Sequence, residues 1–247
     1  MEKKTFRKEK TAALLLAAGK GTRFGGETPK QFLSVDEEPM VLYAIDALLP
    51  HVDRLVLVVA EEERDRAETI LENAGLARDV RVVAGGTERY DSSLSGLLAL
   101  EEDGPFDYVL IHDAARCLVT EDLVERILEG VKQYGAVVPG IPAKDTVKRV
   151  SPDGRVLDTP DRRECIAVQT PQAFRTEWIE EAYQNAKERG GLSSLTDDAS
   201  AVERFTDHPV MVVSGSEENF KVTTPFDFLL AETVLTMRRL KRESEKR

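Results

Sequence analysis

The sequence has only two cysteines, Cys117 and Cys165, far apart and without metal-ligand spacing. That excludes a cysteine-rich scaffold or a zinc ribbon, and it points to reduced thiols in a cytoplasmic protein. No apolar stretch approaches the roughly 18 residues of a membrane span, so no membrane partner is expected. Positive charge is also short: 34 Lys+Arg stand against 45 Asp+Glu, a formal net charge of −11. A dedicated nucleic-acid binder usually carries a basic footprint, so no nucleic-acid partner is expected. There is no internal repeat and no low-complexity segment. The short apolar run near the start ends in glycines and a charged loop, which suits a buried first strand better than a secretory signal.

What the chain does have is a globular composition, 41% hydrophobic and 32% charged over 247 residues. Apolar runs recur at 12–17, 55–59, 80–84, 108–111 and 136–138. They are too continuous for half-exposed strands, which would alternate, so they predict strands buried on both faces of a mostly parallel sheet. Between them lie helical patterns at 40–49, led by Pro39, at 62–73, and after Thr120 with a stripe of Leu123, Ile127, Leu128 and Val131. Another helical pattern opens at Ser92. Strand–helix alternation implies an α/β, Rossmann-like, doubly wound sheet in a single domain over 1–247. The alternation breaks at 140–165. There, 147–150 and 156–158 flank the turn sequence Ser151-Pro152-Asp153-Gly154, predicting a β-hairpin arm inserted into the domain. A lone hairpin is marginal in water, so a second subunit is the expected support for it. Helices are further predicted at 176–189, 196–204 and 225–240, the last with an apolar stripe of Phe226, Leu230, Val234 and Met237.

The most informative stretch follows the first strand: Leu16-Ala17-Ala18-Gly19-Lys20-Gly21-Thr22-Arg23-Phe24-Gly25-Gly26, then Pro29-Lys30-Gln31-Phe32. Glycines here let backbone N–H groups approach phosphate oxygens. Phe24 occupies the third glycine position of a dinucleotide fingerprint, and Gly21 stands where a P-loop needs Ser or Thr after Lys, so neither motif is present. The cations Lys20, Arg23 and Lys30 instead suit a triphosphate whose α-phosphorus gains negative charge.

This loop resembles the signature of sugar-nucleotide-type nucleotidyltransferases. Further segments narrow the resemblance: GGTERYDSSLSGL from Gly85, HDAARC from His112, QTPQAF from Gln169, TDDAS from Thr196 and NFKVTTPFD from Asn219. In this order they resemble the polyol-phosphate cytidylyltransferases, specifically the 2-C-methyl-D-erythritol 4-phosphate family of the non-mevalonate isoprenoid route. The resemblance implies transfer of CMP from CTP to the polyol phosphate, with release of pyrophosphate and with Mg²⁺ as cofactor. It implies that Ala17, Ala18, Gly19, Gly21, Gly86 and Ser92 bind CTP. Arg23, Lys30, Arg162 and Lys221 would be catalytic, and Asp113 would hold the metal at the carboxyl edge of its strand. Arg116, Thr146, Arg162, Thr170 and Lys221 would bind the polyol phosphate, with Thr196 a further hydroxyl. Thr146 and Arg162 would do so from the arm of the other chain of a homodimer, and the adjacent Arg163 competes with Arg162 for that role. Arg89 is expected to support the loop. Thr87 stands where some members have an acidic residue, and Cys117 stands where the family usually has proline. His112 is expected to pack or hydrogen-bond. Two other readings share the loop chemistry: a ribitol-5-phosphate cytidylyltransferase, and a non-catalytic nucleotide-binding module on the same fold.

Overall fold

The computed structural model describes residues 9–19 and 29–245. Its strands are β1 (Thr11–Ala17), β2 (Ser34–Val35), β3 (Glu38–Pro39), β4 (Arg54–Val59), β5 (Val80–Ala84), β6 (Tyr108–Asp113), β7 (Ala136–Pro142), β8 (Arg149–Val150), β9 (Val156–Asp158), β10 (Ile166–Val168), β11 (Gln172–Arg175) and β12 (Met211–Ser214). Its α-helices are α1 (Met40–Leu48), α2 (Arg64–Asn73), α3 (Arg89–Asp103), α4 (Glu121–Tyr134), α5 (Thr176–Glu188), α6 (Asp198–Phe205) and α7 (Pro225–Glu245). All five continuous apolar runs are strands.

The period of two along β1 explains the layering. Ala13, Leu15 and Ala17 face one core with α1, α2 and α4, packing on Val41, Leu48, Leu71 and Ile127. Ala12 and Leu14 face the opposite core with α3, α5 and α6, packing on Leu97, Phe174, Ile179 and Val202. A strand covered on both sides must be apolar at every position, which is why these runs do not alternate. The sheet runs β5-β4-β1-β6-β11-β7, with β5, β4, β1 and β6 parallel and β11 antiparallel to both its neighbours. Val137 of β7 faces Ala173 of β11 on one side and Met211 of β12 on the other, so β12 closes the far edge in parallel. Strand β10 pairs with the outgoing end of β7.

The projecting hairpin is present. Strands β8 and β9 form an antiparallel sheet of their own around a turn whose Gly154 adopts φ +85. Val150, Val156 and Leu157 on it are more than half exposed. Helix 196–204 starts later than its pattern predicts, at Asp198, because Asp197 and Ser200 form a capping box one residue before it. On α7, Phe226, Leu230 and Met237 are exposed, and the buried face is Ala231 and Leu235, joined to Val35, Met40, Cys117 and Val222 in a third core. Small Ala231 lets the helix approach that core closely; of the stripe only Val234 is half-buried against it, and Phe226, Leu230 and Met237 turn outward.

Candidate active site

Strands β1, β5 and β6 end at the same edge of the sheet, and a cleft of about 260 Å³ opens there. Ala17, Ala18 and Gly19 line it after β1, Gly86 and Thr87 after β5, Ser92 from α3, and Asp113 from the end of β6. Lys30 and Lys221 line it as well. Gly21 and Arg23, with Lys20, lie outside the described residues.

Close packing explains the two glycines after β5. A Cβ on Gly85 would sit 2.6 Å from Ser92 Oγ, and one on Gly86 would sit 2.3 Å from Asp91 Cβ. Asp91 is fixed there by a capping box: its Oδ2 accepts from the Glu88 N–H at 3.1 Å, and the Glu88 side chain accepts in return. Side-chain-free backbone therefore meets the first turn of α3 at the rim of the cleft.

Asp113 is 8% exposed. Its Oδ1 accepts from Arg89 Nε at 3.2 Å and its Oδ2 from Lys221 Nζ at 2.7 Å. Burial alone would raise its pKa; the charges of Arg89 and Lys221 outweigh burial and hold the carboxyl well below the usual range. Arg89 continues the chain of charges, donating from Nη1 to Asp198 Oδ2 at 2.6 Å. Asp198, with no exposed surface, also accepts from Ser93 Oγ at 2.7 Å and Tyr183 OH at 2.6 Å. Burial opposes the Arg89 charge, but the two carboxylates more than offset it and its pKa is raised. Arg89 is therefore a half-buried strut between Asp113 and Asp198. Asp198 and Tyr183 were not singled out from sequence: the TDDAS segment carries Asp198, but nothing local marks a partner 109 residues away.

Lys30 leads into the cleft from a short turn and donates from Nζ to the Val222 carbonyl at 2.6 Å, next in sequence to Lys221. A second cavity, about 270 Å³, adjoins the first and shares Arg89, Asp113 and Lys221; Arg116, Thr170 and Thr196 are among its other lining residues. Burial lowers the His112 pKa to about 4, so the imidazole is neutral. Thr146 and Arg162 line neither cavity of their own chain. Both are exposed, in or beside the arm. Arg163 is held by Asp161, with Nε 3.0 Å from Oδ1, whereas Arg162 makes one long bond, 3.3 Å, to the Lys144 carbonyl. Cys117 packs in the third core away from both cavities.

A sequence profile of the 2-C-methyl-D-erythritol 4-phosphate cytidylyltransferases matches residues 11–237. The chain belongs to that family. A 2-C-methyl-D-erythritol 4-phosphate cytidylyltransferase of Pelotomaculum thermopropionicum is 40% identical over 233 residues, covering 93% of this chain and 96% of that protein. The cytidylyltransferase of Bacillus cytotoxicus is 39% identical over 228 residues, covering 92% and 98%. Among solved structures, a 4-diphosphocytidyl-2C-methyl-D-erythritol synthase from Anaerococcus prevotii superposes with a TM-score of 0.79 at 30% identity, covering 92% of this chain and 99% of that one. The cytidylyltransferase of Thermus thermophilus superposes with a TM-score of 0.71 at 28% identity, covering 90% and 98%.

Proposed function

We propose that the protein joins CMP from CTP to 2-C-methyl-D-erythritol 4-phosphate, giving 4-diphosphocytidyl-2-C-methyl-D-erythritol and pyrophosphate, in the non-mevalonate isoprenoid route. The observation that carries this is the pair of adjoining cavities sharing Asp113 and Lys221. Two phosphorylated substrates that react with each other need neighbouring sites with cations at the junction.

In this mechanism, CTP lies on the backbone of Ala17, Ala18 and Gly19, with its base toward Gly86 and Ser92. The acceptor enters the second cavity, its phosphate toward Arg116. An acceptor phosphate oxygen attacks the α-phosphorus; the bond from that phosphorus to the β-phosphate oxygen breaks, and pyrophosphate leaves. The nucleophile is already anionic near neutral pH, so no general base is needed. Positioning and charge stabilisation supply the catalysis. Lys30 and Lys221 serve that purpose, with Arg23 joining them from the glycine-rich loop. Asp113 fits Mg²⁺: it is ionised, it faces the cleft, and one carboxylate is what Mg²⁺ takes when substrate phosphates fill the rest of its shell. Among the described residues no three acidic, His or Cys side chains gather as a protein-only cage. When bound, the ion neutralises phosphate charge.

The enzyme acts as a homodimer in the cytoplasm. Two observations support this reading: the exposed apolar residues of the arm, and two cysteines that are both free thiols. Thr146 and Arg162 then reach the acceptor of the neighbouring chain. Arg162 suits this better than Arg163, whose charge Asp161 already neutralises.

The deciding assay is pyrophosphate release from CTP and Mg²⁺ with methylerythritol phosphate, ribitol 5-phosphate or no acceptor. Turnover with methylerythritol phosphate is expected. Turnover with ribitol 5-phosphate alone would overturn the acceptor, and turnover with neither would favour a silent binding module. Lys30→Ala is expected to lower kcat by about 10²–10³, the usual cost of removing one preorganised charge donor; unchanged turnover would remove Lys30 from the mechanism.

A further inference from the structure

At and behind the second cavity three polar side chains are buried: His112 at 0% exposure, Thr170 at 5% and Asn219 at 1%. Their hydrogen bonds close a ring. The Asp113 N–H donates to Thr170 Oγ1 at 3.0 Å. The Arg116 carbonyl can only accept, so the neutral His112 ring carries its proton on Nε2 and donates to it at 3.2 Å. His112 Nδ1 then accepts from Thr170 Oγ1, 2.9 Å away. Arg116 Nη1 then donates to the Asn219 carbonyl at 2.9 Å. Asn219 Nδ2 returns to Thr170, donating to its carbonyl at 2.8 Å.

Each bond joins a different piece of chain: the end of β6, the turn after it, the segment before β11 and the segment before α7. Among the described residues Asn219 Oδ1 and Arg116 Nε are buried without a hydrogen-bond partner, but each of the four bonds of the ring is made, so no member can reorient without breaking one. Breaking a buried hydrogen bond strands a desolvated polar group, which holds the ring in place. Asp113, Thr170 and Arg116 of this network line the cavity, and Arg116 brings the positive charge.

We propose that His112 and Asn219 are positioning residues for the acceptor phosphate, holding Arg116 in place at both its carbonyl and its guanidinium through a hydrogen-bonded ring centred on Thr170. This rests on the reading that Arg116 meets that phosphate. It also gives Thr170 a different task from direct substrate contact, since its hydroxyl donates and accepts within the protein.

Two substitutions at His112 separate the two halves of the ring. His112→Gln places an amide N–H near the Nε2 position and keeps the bond to the Arg116 carbonyl. His112→Asn reaches only the Nδ1 position and loses that bond. The test measures KM for methylerythritol phosphate, KM for CTP and kcat in the full-length enzyme, with a thermal melt of each variant. His112→Asn is expected to raise the acceptor KM about tenfold, the low end for removing a supporting hydrogen bond, while the CTP KM changes less than about twofold. His112→Gln should restore most of that loss. Asn219→Ala, which removes a different bond, should raise the same KM and serves if His112→Asn does not fold. Equal rises in both KM values, no rise in the acceptor KM, or no difference between the Gln and Asn variants would overturn the proposal. Arg116→Ala is measured alongside: an unchanged acceptor KM there would overturn the underlying assignment of Arg116, whereas a raised KM for Arg116→Ala with unaffected His112 and Asn219 variants would overturn the ring alone.

Discussion

Cys117 tests the packing around the site at the scale of one atom. Its thiol sits among Val35, Met40, Leu118, Val222 and Leu235, and burial pushes its pKa up to about 12. Only the thiolate reacts readily, so Cys117 is inert at neutral pH. Cys165, on the segment returning from the arm, is partly exposed. Maleimide at pH 7.5 should label one cysteine per native chain, at Cys165, and both in denaturant, as read by mass spectrometry of the peptides. Native labelling of Cys117 at a rate like that of Cys165 would contradict the burial. A thiol raised above its ordinary pKa of 9.0 gives a contribution to stability that is whole below pH 9 and is lost as pH rises toward 12. The sequence showed that Cys117 lacks a partner base, which is a local fact. It could not show the core around it, because Val35, Val222 and Leu235 come from distant segments.

The junction of α4 and β7 shows what one element boundary demands. Gly135 ends α4 with its N–H donating to the Val131 carbonyl at 2.8 Å, in the left-handed region at φ +86. A Cβ there would meet the Trp178 ring at 2.3 Å. Gly135→Ala should therefore cost about 2–4 kcal/mol, about 1 for the backbone and the rest for the clash with a packed aromatic ring. Gly190, at φ +65 with nothing within 4 Å of a Cβ, isolates the backbone cost, so Gly190→Ala should lose only about 1 kcal/mol. Urea midpoints of the two variants check both; equal losses would show that Trp178 moves aside at little cost. The elements themselves were unequally legible. Strands β1, β4, β5 and β6 announce themselves because both faces are covered, leaving no polar position to interrupt the run. Strands β10, β11 and β12 have three or four residues each, and Gln172 and Arg175 break the apolar run in β11. The stripe legible in α7, Phe226, Leu230, Val234 and Met237, is not its buried face, because its sequence has two apolar stripes. Which one is buried depends on the fit of Ala231 against Val35 and Cys117, and periodicity carries no information about that fit. The site was legible where it follows strand ends, as at Gly86 and Asp113, and illegible where it depends on long-range pairs such as Arg89 with Asp198.

At the scale of the whole molecule, the acidic surplus and the cationic clefts have to be considered together. A net charge of −11 repels polyanions in general, while Lys30, Lys221 and Arg116 line a concave, partly desolvated site that favours small phosphorylated ligands. Those cations belong to one chain, but Arg162 does not reach either cavity from its own arm. The exposed Val150, Val156 and Leu157 on that arm are the kind of surface a second copy covers. If the arm serves the neighbouring site, two defective chains should complement each other. Arg162→Ala leaves a sound cleft and a defective arm; Lys30→Ala leaves a sound arm and a defective cleft. A mixed dimer then pairs the sound cleft of one chain with the sound arm of the other, one working site in two. Random pairing makes half of all dimers mixed, so co-refolded chains in equal amounts should regain about a quarter of wild-type kcat per site. Light scattering should show a dimer throughout. If the arm served its own cleft, every site in the mixture would keep one defect, and activity would stay at the sum of the two variants measured alone.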